Sequence, residues 1–215
     1  MALALFDLDN TLLNGDSDHA WGIYLADIGA VDKDEQKQKQ DFFYQQYVDG
    51  VLDIFDFCEY QFKILKDTPR EKLESWRADF MHDVIEPIVV SGKSELLEPH
   101  RAQKDTLIII TATNDFITAP IAERLGVKHL IATRAQCVNG KFTGKVDGTP
   151  CFQEGKITRL IEWMGEHGGS LENSTFYSDS YNDLPLLEAA TTPIVVTPDD
   201  KLREHAKSLH WKIID

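Results

Sequence analysis

The run Leu3-Ala4-Leu5-Phe6-Asp7-Leu8-Asp9-Asn10-Thr11 constrains this chain more than any other. Residues 3–7 read as a buried strand that ends in two aspartates and a threonine. On an extended segment, residues spaced i, i+2 fall on one side. Beyond the strand the chain must turn, so both carboxylates can converge on one point. Adjacent anions repel unless a cation lies between them. Magnesium takes carboxylate oxygens and commonly shares them with a substrate phosphate. The junction therefore points to metal-assisted phosphoryl chemistry.

Composition narrows the partners. The chain has 215 residues, 42% of them hydrophobic, enough for one full domain with a sizeable insertion. Its formal net charge of -14 disfavours general nucleic-acid binding and adhesion to anionic membranes. An acidic protein that handles phosphate must create positive potential locally, from a metal, a lysine or helix N-termini. Cys58, Cys137 and Cys151 match no zinc spacing and read as idle or buried thiols. No basic n-region leads into a long apolar run, so no signal peptide is expected, and no stretch is long and apolar enough to span a bilayer. A soluble cytoplasmic protein is expected, with its oligomeric state left open.

Residues 17–85 read as helical. Ala20, Trp21, Tyr24, Leu25 and Ile28 recur at helical spacing, as do Ile54, Phe55, Cys58, Phe62 and Leu65. Phe43, Tyr47 and Val48 mark another helix, and Leu73, Trp76, Phe80 and Val84 a fourth, with Pro87 as the exit. Helices in succession directly after an acid-bearing strand suggest an inserted cap. The remainder alternates. Strands are expected over 106–111, 127–133, 174–178, 193–196 and 211–214. Helices are expected over 94–103, 115–125, 156–166, 184–190 and 200–209. Asn139-Gly140 is a hairpin turn signal, placing a β-ribbon over 135–146. The expected fold is α/β, a Rossmann-like, doubly wound parallel sheet with an inserted α-helical cap. Its core spans 1–14 and 88–215, and its cap 15–87.

Ligands of open parallel sheets bind beyond the carboxyl ends of the strands. Reactive groups stand at three such ends: Asp7 and Asp9; Thr111, Ala112 and Thr113 before Asn114-Asp115; and Asp179, Ser180, Asn182 and Asp183. Gly155-Lys156 opens a helix. Any one of these turns alone reads better as helix capping. Four carboxylates at one sheet edge, however, would be costly without a cation. A lysine in a first helical turn sits badly with the macrodipole, which a nearby anion would reverse. Ser91-Gly92-Lys93-Ser94 ends like a P-loop but has Pro87 where that loop needs glycine. A nucleotide-binding loop is rejected.

In order, Asp7-Leu8-Asp9-Asn10-Thr11, Thr111, Lys156 and Asp179-Ser180-Tyr181-Asn182-Asp183 resemble the haloacid dehalogenase superfamily of phosphatases. The resemblance covers nearly the whole chain and is strongest to the phosphoserine phosphatase branch. Within it, residues 7–21, 109–116 and 176–187 are similar to bacterial histidinol-phosphatases of this fold. The resemblance implies Asp7 as a nucleophile that becomes an aspartyl-phosphate. Asp9 would be the acid that protonates the leaving alkoxide and the base that activates water. Mg2+ would be held by Asp7, the Asp9 carbonyl and Asp179, with Asp183 holding a metal-bound water or orienting Lys156. Thr111, Ala112 and neighbouring N–H groups, Lys156 and Asn182 would bind the phosphoryl oxygens.

Selectivity is expected from the cap. Asp16 stands nine residues after Asp7, where the branch's phosphoserine enzymes carry an acid that meets the substrate ammonium. Asp18, His19 and Trp21 follow it. Two acids beside an aromatic suit a cationic amine, although both acids also read as N-caps. The expected partner is a small phosphorylated metabolite, first L-histidinol phosphate and then phosphoserine, whose carboxylate would want Arg70, Arg77 or Lys63. Rival readings are phosphotransfer to an alcohol, a silent phosphometabolite sensor, and a dehalogenase. Asp9, Asp179 and Asp183 argue against the last.

Overall fold

The first strand, β1 (Leu3–Phe6), is fully buried because both of its faces are covered. The computed structural model describes residues 2–215. Ala4 and Phe6 face one apolar cluster, with Trp21, Ile109, Phe116 and Tyr177. Leu3 and Leu5 face a second, with Ile108, Ile110, Leu160 and Phe176. The two-residue period of the strand thus serves both layers.

Four helices follow: α1 (Ser17–Asp27), α2 (Lys33–Asp49), α3 (Ile54–Asp67) and α4 (Arg70–Phe80). Asp16, Asp32 and Asp53 cap the first three with side-chain bonds to backbone N–H groups, so part of the acidic excess is N-cap chemistry. Trp21, Tyr24 and Phe80 pack ring against ring, and Phe116 meets Trp21 edge-on.

Pro87 does not end the helical segment. A π-helical turn over Met81–Ile85 intervenes, and α5 (Glu86–Val90) runs on past the proline. The wide turn restarts the ladder, so Pro87 falls in a first helical turn, where its missing N–H costs nothing. The expected boundary at residue 87 therefore lies inside a helix.

A 3-10 turn over Ser94–Leu97 leads into α6 (Glu98–Gln103), where one helix was expected. Then come β2 (Thr106–Asn114), α7 (Asp115–Arg124) and β3 (His129–Thr133). β2 outruns its apolar stretch by three residues, with an irregular register against β3 between Thr111 and Asn114. The ribbon is β4 (Ala135–Val138) and β5 (Lys141–Val146), turned by Asn139 and Gly140, both at positive φ. It packs along α3.

The chain closes with α8 (Glu154–His167), β6 (Thr175–Ser178), α9 (Leu184–Ala189), β7 (Thr192–Val196), α10 (Asp200–Ser208) and β8 (Lys212–Ile214). The six-stranded sheet has the order β3-β2-β1-β6-β7-β8, all pairs parallel. The order reverses beside β1, so the carboxyl end of β1 lies at the topological switch point. Gly92, from the loop-like motif, serves packing: a Cβ there would meet the Leu12 carbonyl oxygen at 2.2 Å. Among the described residues no helix is long and apolar enough to cross a membrane.

Candidate active site

Asp7 follows β1 directly, and its N–H donates to the Tyr177 carbonyl of β6 at 2.9 Å. That bond carries the parallel pairing one residue beyond the strand and brings Asp7 beside the turn after β6. Lys156 lies between the two. Its Nζ donates to Asp7 Oδ1 and to Asp183 Oδ2, both at 2.7 Å, and the residue is only 2% exposed. Gly155 makes this placement possible, since a Cβ there would sit 2.1 Å from the Pro150 carbonyl oxygen. Ser178 Oγ donates to the same Asp183 oxygen at 2.7 Å.

Burial opposes the ammonium of Lys156, but the carboxylates of Asp183 and Asp7 outweigh it and hold the group charged. Asp7 experiences the opposite balance. Burial pushes its carboxyl up to about 7, although Lys156 pulls it down. Asp179 is raised by burial and then by the charges of Asp7 and Asp183, so these acids share one electrostatic environment. Thr11 Oγ1 supports Asp179 with a 3.1 Å bond to Oδ1.

Asp9 is held from two sides. The Ser17 N–H of α1 donates to Oδ1 at 2.7 Å, and Thr113 Oγ1 to Oδ2 at 2.8 Å. Burial and the neighbouring Asp16 raise its carboxyl to about 6. Thr111 is buried and its Oγ1 accepts the Thr113 N–H at 3.2 Å. This shapes the turn in which Ala112 sits, and Asn114 then caps α7 through Ile117 N–H. Asn182 stands in the turn after β6, with Gln153 Nε2 donating to its Oδ1 at 3.0 Å.

Asp16 caps α1, taking the N–H groups of Asp18 and His19 on Oδ1, both at 2.9 Å. Asp18 does not cap. Its Oδ2 accepts from Gln61 Nε2 at 2.5 Å, and burial, followed by the charges of Asp16 and Asp9, pushes its carboxyl up to about 8. Asp16 is exposed and Asp18 half-buried, so solvent reaches both residues. His19 is exposed, and its carbonyl takes Gln40 Nε2. Arg77 is engaged elsewhere, donating to the Phe116 carbonyl at 2.8 Å with its guanidinium over that ring. Arg70 pairs with Glu74 and stacks on Phe142.

A pH-dependent stability follows from Asp18. Its carboxyl titrates near the ordinary 3.8 when unfolded and near 8 when folded. Between those values the folded state retains a proton the unfolded state has lost, so rising pH removes stability. Asp18→Asn lacks that loss. Its Tm should pull ahead of wild type by a few degrees from pH 5 to pH 8 and then hold a constant lead. A gap that is flat or shrinks over this range, read by calorimetry, would refute the assignment.

Four contacts carry no motif signal: Thr113 on Asp9, Ser178 on Asp183, Gln61 on Asp18 and Gln153 on Asn182. Thr113 stood at a reactive strand end but had no assigned partner. Among the described residues no three His, Cys, Asp or Glu side chains form a ready-made metal cage. Asp7 and Asp179 are close enough for each charge to act on the other, and both offer oxygen, the donor type a hard cation takes.

Comparison with known proteins gives the family. The family model for haloacid dehalogenase-like hydrolases matches residues 4–188. A histidinol-phosphatase of Neisseria meningitidis serogroup C (strain 8013) is 39% identical over 217 residues, spanning 99% of this chain and 98% of that protein. The crystal structure of a protein of unknown function from Bordetella pertussis Tohama I superposes with a TM-score of 0.93 at 42% identity, covering 100% of this chain and 98% of the other. A phospho-aspartyl intermediate analogue of phosphoserine phosphatase shares the fold, with a TM-score of 0.70 at 21% identity over 99% of this chain and 92% of the other.

Proposed function

Given that the chain belongs to the haloacid dehalogenase-like hydrolase family and is a phosphoric monoester hydrolase, we propose that it works through an aspartyl-phosphate on Asp7 and acts on L-histidinol phosphate. The observation that carries the mechanism is Lys156 clamped between Asp7 and Asp183 at the switch point of the sheet. The ammonium fixes one Asp7 oxygen and leaves the other for phosphorus. It also places positive charge where phosphoryl oxygens gather in the transition state. Thr111, Ala112 and Asn182 complete the phosphoryl cradle.

The residues present fit a magnesium ion. Asp7, Asp179 and the Asp9 carbonyl would hold it: Asp7 and Asp183 share one buried ammonium, and Asp179 adds a further acid whose charge is felt with theirs. When bound, such an ion supplies charge that lowers the Asp7 carboxyl and neutralises phosphoryl oxygens.

Asp7 attacks phosphorus as the bond to the leaving oxygen breaks, and Asp9 gives that oxygen its proton. A carboxyl raised to about 6 keeps a useful protonated fraction near neutrality. Asp9 then takes a proton from the water that attacks the aspartyl-phosphate, releasing phosphate and restoring Asp7. The insertion over residues 15–87 acts as the cap that controls this water.

The substrate assignment rests on two acids. Asp16 and Asp18 offer carboxyl oxygens to a cation, whose positive charge would favour the ionised form of Asp18, while Arg70 and Arg77 are committed to Glu74, Phe142 and Phe116. That favours an amine and imidazole over the carboxylate of phosphoserine. The full-length similarity to a histidinol-phosphatase supports the same choice.

A phosphate-release screen over amino-alcohol, sugar and nucleotide monophosphates, with and without chelator, tests the proposal. Histidinol phosphate should lead on kcat/KM, and chelator should abolish release. Asp16→Asn with Asp18→Asn should raise KM for histidinol phosphate about tenfold while leaving the KM of a neutral ester nearly unchanged, since asparagine still caps α1. An unchanged KM for amine substrates defeats the specificity assignment, and dominant phosphoserine turnover defeats the substrate.

A further inference from the structure

The last turn of α2 touches the loop that carries the acids, although more than a hundred residues separate them in sequence. The Tyr47 hydroxyl shares a 2.5 Å hydrogen bond with the Ser180 hydroxyl. Asn182 Nδ2 donates to the Tyr47 carbonyl oxygen at 3.2 Å. That oxygen also takes the Gly50 N–H, so both its lone pairs are used. Lys201 Nζ, from α10, donates to the next carbonyl, Val48, at 2.7 Å. The final carbonyls of a helix lack intrahelical donors, and here side chains of the sheet-bearing part of the molecule supply them.

These bonds define one amide. A primary amide has one acceptor oxygen and two N–H donors. Asn182 Oδ1 is occupied by Gln153 Nε2 and one N–H by Tyr47. The amide can face only one way, with one N–H remaining. We propose that Tyr47 is a positioning residue for phosphoryl binding: seated on Ser180 and Asn182, it locks the Asn182 amide so that the remaining N–H meets a phosphoryl oxygen. The inference rests on Asn182 as a phosphoryl ligand. Because Tyr47 belongs to the insertion, this donor is set only while the turn of α2 is seated.

A double-mutant cycle on the full chain tests this. Tyr47→Phe, Asn182→Ala and the double variant are compared with wild type by two readouts: kcat/KM for p-nitrophenyl phosphate, and the Kd of inorganic phosphate by calorimetry. Tyr47→Phe should weaken both by about three- to tenfold, the scale of one hydrogen bond. Asn182→Ala should cost at least as much. The double variant should match Asn182→Ala alone, because Tyr47 acts through Asn182. A Tyr47→Phe protein equal to wild type, or losses that multiply in the double variant, would overturn the inference. Should Tyr47→Phe fail to fold, Ser180→Ala removes the same bond together with the Ser180 cap on the Asn182 N–H, and a loss that multiplies with Asn182→Ala would again overturn the inference. A wild-type protein that binds phosphate but hydrolyses no phosphomonoester would defeat the proposed reaction, and the binding arm would still decide the role of Tyr47.

Discussion

Asp7→Asn should lower phosphate release by at least about a thousandfold while leaving Tm within a few degrees of wild type. Asparagine keeps the shape of aspartate and still offers an oxygen to Lys156. It cannot form an acyl phosphate. The fold has little to lose, because burial already raises the Asp7 carboxyl to about 7 and Lys156 retains Asp183 at 2.7 Å. Single-turnover phosphate release and a melting curve on the same preparation provide the check. Appreciable turnover in clean protein would remove Asp7 from the chemistry, whereas loss of the fold would assign it a structural role instead.

Lys156→Met should be damaging in both respects. The side chain fills similar volume, but two buried carboxylates lose their shared cation. Removing one partner of a buried ion pair costs roughly 3–5 kcal/mol, or about 6–20 °C in Tm for a chain of this size. Turnover should fall with it, since among the described residues Lys156 is the side chain that places an ammonium against Asp7. Adding Asp7→Asn to Lys156→Met should return part of the lost Tm, because one stranded carboxylate is then neutral. A melting temperature unchanged in Lys156→Met would mean that water reaches this pair freely.

The central strand and the ribbon were legible because their signals are local: an apolar run ending in acids, and Asn139-Gly140 at a turn that needs positive φ twice. The parallel sheet followed from the alternation of elements. Pro87 misled because a proline says only that a ladder is broken, and the π turn that re-registers it depends on packing around Ile85 and Phe80, both fully buried. The extension of β2 to Asn114 follows from pairing with β3, which no local pattern encodes. Within the site, residues at strand ends could be located, since topology collects them at one edge. Gln61 on Asp18, Gln153 on Asn182 and Tyr47 on Ser180 could not. Glutamine and tyrosine carry no motif of their own, and these meet their partners only once the chain has folded.

The bond from the Ser17 N–H to Asp9 has a wider consequence. One carboxylate terminates the central strand's turn and at the same time receives the leading end of the first inserted helix. The acidity of that group is therefore coupled mechanically to how the helix is seated. An insertion transplanted from a relative would have to arrive in register at residue 17, because a slip of one position would withdraw a donor and retune the acid even if every side chain around it were kept.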